Sequence, residues 1–319
     1  MRIVLLDAYT LNHGDLTWLP LTALGHVEIY EYTSLADVEE RAADAEVVVV
    51  NKFLINEASL KLMPSLKYVI VTATGYNNVD SLAVKNRGVI VSNVRGYSTQ
   101  SVAQHVFSCL LNHYNKTEHY QNRVDDGAWV ECRDFSFYDH SIGDLCGKTI
   151  GILGYGDIGK KVVQIALAFD MNVLVHTRSN LNFPKGSANI RQVDKNTLLN
   201  ESDILTLHAP LNEGTSNFVN RETLSQMKSD GVLINTARGG LVNEQDLSLH
   251  LKENKAFDAF LDVLSVEPPS ASNPLLGINN CKVTPHIAWA SKGARTTLLQ
   301  ATADSIIAYQ SGKPINLVL

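Results

Sequence analysis

The sequence has 319 residues, 45% of them hydrophobic and 19% charged, with a formal net charge of -6. That is enough chain for two domain cores, and the acidic balance gives no overall electrostatic reason to bind a nucleic acid or an anionic membrane. The four cysteines (Cys109, Cys132, Cys146, Cys281) lack CxxC spacing, so neither a disulfide framework nor a metal site is expected.

At the start of the chain, Met1 to Leu6 meets Asp7 too soon for a signal-peptide core or a membrane span and is expected to form a first buried strand. Short runs rich in β-branched residues follow at Glu46 to Val50, Tyr68 to Val71 and Val89 to Ser92, each too short for a helix. The unbroken apolar Val47 to Val50 predicts a strand buried on both faces, as in a parallel sheet covered by helices. Ser98 to about Arg123 contains no glycine or proline, and Val102, Val106, Cys109 and Leu110 keep a helical period, which predicts one long helix leading into a second domain. Val124 to Leu145 is aromatic and loop-like, with Trp129, Phe135, Phe137 and Tyr138; it either caps its own domain or serves self-association.

From Gly147 onward the expected strands are Thr149 to Leu153, Asn172 to His176, Asp203 to Leu207, Gly231 to Asn235, Phe257 to Leu261 and Lys282 to Thr284, six parallel strands of a dinucleotide-binding fold. A last helical stretch around Thr296 to Tyr309 is expected to pack back on the first domain and make it discontinuous. The expected division is 1–97 with 288–319 for a smaller α/β domain and 98–287 for the dinucleotide-binding domain. The C-terminal Ile315 to Leu319 matches no peroxisomal or retention address, and a cytoplasmic protein is expected.

Gly154-Tyr155-Gly156-Asp157-Ile158-Gly159 lies directly between a predicted strand and a predicted helix. In that context the first glycine permits the turn, the second lets backbone approach a pyrophosphate and the third brings the helix close to the sheet. Gly154, Gly156, Asp157, Ile158 and Gly159 are therefore candidate cofactor residues. The end of the next strand, where NAD-preferring sites usually carry an acid, reads His176-Thr177-Arg178-Ser179. No carboxylate there repels a 2′-phosphate, while Arg178 offers charged donors and Thr177 and Ser179 offer hydroxyls. NADP(H) is the expected preference, with NAD(H) possible.

Ligands of open α/β sheets bind beyond the carboxyl ends of the strands, and three side chains stand there: Arg238, Glu267 and His286. Reduction of a 2-keto acid requires a hydride donor, a proton donor for the carbonyl oxygen and a cation for the carboxylate. A guanidinium fork suits the carboxylate, imidazole is the side chain whose ordinary pKa suits proton transfer near neutrality, and a carboxylate beside it favours and orients the imidazolium.

Three segments then carry a resemblance over nearly the whole chain: Thr72 to Asp80, Asn93 to His105, and Thr284 to Ser291. The sequence resembles the D-isomer-specific 2-hydroxyacid dehydrogenases, in particular their glycerate dehydrogenase (hydroxypyruvate reductase) branch. The resemblance implies a Rossmann domain plus a flavodoxin-like α/β substrate domain with a cleft between them, Arg238, Glu267 and His286 as the catalytic trio, and backbone N–H groups at Thr74 and Gly75 for the substrate carboxylate, with Lys52 a further candidate. It also implies that Asp262 meets the nicotinamide amide, that Thr99, His208, Ala209, Pro210, Thr215, Thr236 and Ala237 belong to the cofactor site, and that the protein is a homodimer built on the helix after Ser98 and the aromatic segment. The expected reaction is hydride transfer to hydroxypyruvate or glyoxylate, giving D-glycerate or glycolate. Another D-2-hydroxyacid dehydrogenase, such as a D-lactate dehydrogenase, and a cofactor-sensing binding protein like the C-terminal binding protein corepressors are the alternatives. Glutamine stands in formate dehydrogenases where this chain has Glu267, which argues against that branch. Phosphoglycerate dehydrogenases commonly append a regulatory domain, and with the sequence ending at Leu319 none is expected here. Two departures from the family pattern, Asp170 for a common glycine and Asn243 for a common aspartate, are expected to matter little.

Overall fold

The computed structural model describes residues 1–183 and 189–319. The chain divides into two compact units, Met1–Ser98 with Trp289–Leu319, and Thr99–Ala288. Each limit lies one residue beyond the expected one.

In the first unit a parallel sheet is built from β1 (Arg2–Leu5), β2 (His26–Ile29), β3 (Val47–Val50), β4 (Tyr68–Val71) and β5 (Ile90–Asn93), in the order β2-β1-β3-β4-β5. This is the flavodoxin-like doubly wound order. All four valines of β3 are buried, because helices cover both faces. On one side lie α2 (Val38–Ala42), α3 (Glu57–Lys61) and α4 (Ser81–Asn86), through Val38, Leu60 and Val84. On the other are α1 (Leu19–Thr22) and, from the far end of the chain, α11 (Lys292–Gln310), through Leu21, Leu299, Ala303 and Ile306. The last helix begins four residues before the expected stretch and ends one residue after it. The strand β2 was not foreseen. It is an edge strand with no fully buried residue, so it needs no apolar run.

The second unit begins with α5 (Thr99–Asn115) and α6 (Thr117–Asp125), where one long helix is expected. The break falls at Lys116, which takes a left-handed backbone (φ 51°). Its N–H closes on the Asn112 carbonyl at 2.8 Å, and the Asn112 side-chain oxygen accepts from Thr117 Oγ1 at 3.1 Å. A local asparagine network thus supplies a turn that no glycine or proline announces. Beyond it the aromatic segment is irregular and does not bury itself against its own unit: Trp129, Phe135 and Tyr138 are exposed, Phe135 by 93%, and only Phe137 is half-buried.

The main sheet has the order β12-β11-β10-β9-β6-β7-β8, all pairs parallel. Its strands are β6 (Thr149–Leu153), β7 (Asn172–His176), β8 (Ile190–Gln192), β9 (Ile204–Leu207), β10 (Val232–Asn235), β11 (Asp258–Leu261) and β12 (Cys281–Val283). Among the described residues seven strands therefore replace the expected six. The extra one, β8, is a three-residue edge whose middle residue is exposed, too short to show a period. From its centre the sheet has the Rossmann order 3-2-1-4-5-6 with one more strand added. The helices α5 and α7 (Asp157–Ala168) cover one face through Val106, Leu110, Val162 and Ala166. The other face is covered by α8 (Lys195–Glu201), α9 (Arg221–Gln226) and α10 (Glu244–Glu253), through Leu198, Leu224 and Leu247. Asp170, just past α7, stands at φ 54°, the conformation in which glycine is free of strain. Asn243 caps α10, its side chain accepting from the Asp246 N–H. Among the described residues no helix is long and apolar enough to cross a membrane.

Candidate active site

Every candidate on the second unit follows a strand at the carboxyl edge of one sheet, apart from Thr99 at the start of α5. Along that edge the strand order sets the sequence of groups: His286 after β12, Asp262 and Glu267 after β11, Thr236, Ala237 and Arg238 after β10, His208 to Pro210 after β9, the glycine turn after β6, and Thr177 to Ser179 after β7. Adjacent strands are about 4.8 Å apart, so the five steps from β12 to β7 span roughly 24 Å. An extended dinucleotide can lie across such an edge.

The glycine turn has the shape that a pyrophosphate needs. Gly154 adopts φ +94°, and a Cβ there would collide with the His208 carbonyl at 2.7 Å; a Cβ on Gly159 would lie 2.4 Å from the Gly154 oxygen. Both positions exclude any side chain. Among the described residues a Cβ on Gly156 would meet nothing within 4 Å, and Gly156 is the N-cap of α7 with no side chain bonded over the helix end. The first N–H groups of a twelve-residue helix are thereby left to an anion in open space, where the helix dipole favours it. Asp157 and Ile158 form the first turn of that helix. Further along the edge the buried Thr236 hydroxyl has no hydrogen-bond partner among the described residues, a polar group that a bound ligand would satisfy. The residues present therefore fit a nicotinamide dinucleotide.

The other wall residues are held by the fold itself. His208 bonds through Nε2 to Thr206 Oγ1 at 2.9 Å, and burial pushes its pKa down to about 3, so its ring is neutral. Thr215 spends its hydroxyl closing its own turn, donating to the Pro210 carbonyl at 2.6 Å and accepting from the Asn212 N–H. Ala209 is buried and Pro210 exposed. Gln192 on β8 fixes the loop after β7 by donating to the carbonyls of Thr177 and Ser179. Arg178 is exposed, and its side chain has no hydrogen bond or ion pair with any described residue.

At the opposite end of the edge the structure brings His286 and Glu267 together: His286 Nδ1 lies 2.6 Å from Glu267 Oε2. The other oxygen, Oε1, accepts from the Leu264 N–H at 3.0 Å, so the carboxylate clamps its own turn and points the remaining oxygen at the ring. His286 sits in the left-handed region (φ 55°), costly for a residue with a Cβ and characteristic of functional sites. The surroundings impose that backbone. Asp262, which is 3% exposed, accepts from Thr284 Oγ1 at 2.6 Å, the Ile287 N–H at 2.9 Å and the Ala288 N–H at 2.8 Å, while its carbonyl accepts from the His286 N–H. The Asp262 carboxylate is thus spent on the turn that carries His286; none of its hydrogen bonds among the described residues leaves that turn. His105 on α5 approaches the Thr284 hydroxyl at 3.4 Å.

Arg238 is not tied to either partner. Its exposed guanidinium donates to the Ala237 carbonyl at 2.6 Å, and its place is set by Asn235, which accepts from the Ala237 N–H and donates to the Arg238 carbonyl. Asn235, Asp262 in its turn-holding role and Thr284 escaped the sequence reading. Asn235 could have been found, since an Asx residue bonding backbone two residues on is a recognised turn device.

In the first unit the candidates also end strands. Lys52 follows β3 and is exposed; its N–H, with those of Asn51 and Phe53, is gathered by the carboxylate of Asp7 at 2.5–2.7 Å. Asp7 was another residue missed. Thr74 and Gly75 follow β4, where Asn93 donates to the Thr74 carbonyl at 2.6 Å and Thr74 Oγ1 donates to the Val94 carbonyl. The N–H groups of Thr74 and Gly75 make no hydrogen bond among the described residues.

Comparison with known proteins agrees with this geometry. The profile of the D-isomer specific 2-hydroxyacid dehydrogenase NAD binding domain matches residues 107–288. A hydroxypyruvate reductase of Blautia hydrogenotrophica is 40% identical, covering 100% of this chain and 99% of that protein; a glycerate dehydrogenase of Methylorubrum extorquens is 38% identical over 91% of this chain and 92% of its own. Among solved structures, an acyclic imino acid reductase in complex with NADPH and D-Arg is 32% identical with a TM-score of 0.85, each chain covered in full. The D-lactate dehydrogenase of Escherichia coli is 25% identical with a TM-score of 0.84, again with both chains fully covered. A glycine turn at the centre of the sheet, a histidine–glutamate pair at its far edge and relatives matching from end to end lead to one assignment: the chain belongs to the D-isomer-specific 2-hydroxyacid dehydrogenase family.

Proposed function

We propose that this protein reduces a small 2-keto acid, hydroxypyruvate or glyoxylate, to D-glycerate or glycolate, with NADP(H) preferred over NAD(H). The observation that carries the reading is the 2.6 Å bond between His286 Nδ1 and Glu267 Oε2, next to the strand from which Arg238 projects. With Nδ1–H held by the carboxylate, the imidazolium keeps its second proton on Nε2, where it can be given to a carbonyl oxygen as negative charge develops there. Arg238, charged at any working pH, holds the substrate carboxylate and polarises the adjacent carbonyl. A bound reduced nicotinamide supplies the hydride. Within the first unit, the N–H groups of Thr74 and Gly75 after β4, which make no hydrogen bond among the described residues, and Lys52 after the neighbouring β3 are the candidates for holding an anion.

The NADP(H) preference is supported by the exposed Arg178 and by the absence of an acid at Thr177. Replacing Arg178 with alanine is expected to lower kcat/KM for NADPH by roughly 10- to 100-fold, the equivalent of one or two charge-assisted hydrogen bonds, and to change that for NADH little. Equal losses with both cofactors would remove Arg178 from the reading. Homodimer formation is supported by the aromatic side chains left exposed at Trp129, Phe135 and Tyr138, and a reducing cytoplasm by the free cysteines.

A panel of hydroxypyruvate, glyoxylate, pyruvate and longer 2-keto acids, assayed with both reduced cofactors, tests the whole proposal. The highest kcat/KM is expected for hydroxypyruvate or glyoxylate with NADPH. A maximum at pyruvate would move the protein toward the D-lactate dehydrogenase reading. Tight cofactor binding without oxidation by any of these acids would favour the binding-protein alternative.

A further inference from the structure

Away from the catalytic edge, α6 and the aromatic segment bring together three side chains that the reaction does not use. His119 on α6, and Asp139 and His140 from the segment, each offer one ligand atom, and these atoms lie within 4.8 Å of one another. We propose that His119, Asp139 and His140 form a surface site for a divalent first-row transition ion, zinc being the natural occupant, that ties the aromatic segment to α6.

The donor set selects the ion class. Two imidazoles and one carboxylate suit zinc and its neighbours, whereas magnesium and calcium prefer oxygen throughout. Three protein ligands leave a fourth position to water. The site is also largely preformed. Tyr120, the residue after His119, receives the His140 N–H on its hydroxyl at 3.2 Å and donates that hydroxyl to the His140 carbonyl at 2.8 Å. This anchors the backbone of His140 beside α6. The rings of His119 and His140 meet edge to face with centroids 4.5 Å apart, and His119 Nε2 is 2.8 Å from Asp139 Oδ1.

The other Asp139 oxygen is paired with Arg123 at 3.3 Å, which leaves Oδ1 as the ligand atom and gives the carboxylate the kind of outer partner that orients metal ligands. A tetrahedral ion with bonds of about 2.0 Å needs donors about 3.3 Å apart. Small rotations of these partly exposed side chains close the difference. The ion takes the place of the hydrogen bond between His119 Nε2 and Asp139 Oδ1.

The test uses the full chain stripped with a chelator, titrated with zinc by calorimetry and with cobalt by visible absorption. One ion per chain is expected. His119→Gln and His140→Gln, exposed changes verified by an unaltered metal-free melting curve, should each weaken binding at least tenfold. His26→Gln, which removes another exposed histidine bonded to a carboxylate, should change nothing. Failure of the unmodified protein to bind either ion, or undiminished binding in the His119→Gln/His140→Gln double variant, would overturn the proposal.

Discussion

Replacing His286 is expected to lower kcat/KM for the keto acid by about 10²- to 10⁴-fold, the usual contribution of a positioned general acid, while leaving the affinity for NADPH unchanged. The choice of replacement matters, because His286 occupies the left-handed region, which asparagine tolerates better than alanine does. His286→Asn therefore removes the imidazole with less disturbance of the turn, and both variants should lose activity alike. If His286→Asn retained most of the turnover and only His286→Ala lost it, the residue would be a backbone element and not the proton donor. Because Glu267 acts through the ring it orients, the double variant with Glu267→Gln should be little worse than His286→Asn alone.

The second large effect is expected at Asp262. Its carboxylate accepts from one hydroxyl and two backbone N–H groups in a buried setting. Truncation to alanine leaves three donors without partners, at about 1–3 kcal/mol each, and removes what fixes the His286 turn. A stability loss of roughly 3 kcal/mol or more is expected in urea unfolding, together with a fall in kcat exceeding any rise in KM for the cofactor. The resemblance implies a role for Asp262 at the nicotinamide amide, beside the three hydrogen bonds that its carboxylate accepts from residues 284, 287 and 288. Thr284→Val separates the two roles, since it removes only the hydroxyl that Asp262 receives. A drop in kcat that Thr284→Ser restores is expected, whereas unaltered kcat in Thr284→Val would count against the turn-holding role.

The central strands were legible in the sequence because burial on both faces demands unbroken apolar runs. Val47 to Val50 and Tyr68 to Val71 could hardly be anything else. The edge strands were not: His26 to Ile29 and Ile190 to Gln192 are held by backbone pairing to one neighbour, and pairing leaves no mark on composition. Likewise the helix break at Lys116 depends on a side chain four residues earlier, and periodicity alone does not register such a capping network. The pattern at the site is similar. Residues whose chemistry is singular, the glycine turn and the histidine–glutamate pair, could be picked out and fall along one sheet edge. Residues that only hold backbone, such as Asp7 and Asn235, look like any other polar side chain until the turns they clamp are known.

The account stands most directly on a stoichiometric reaction: enzyme, NADPH and hydroxypyruvate mixed in one turnover, with cofactor absorbance followed and the configuration of the product determined. Oxidation of one NADPH per glycerate formed, with the glycerate entirely of the D configuration, is the predicted result. Formation of L-glycerate, or a bound NADPH that persists in the presence of hydroxypyruvate and every other small 2-keto acid, would contradict it.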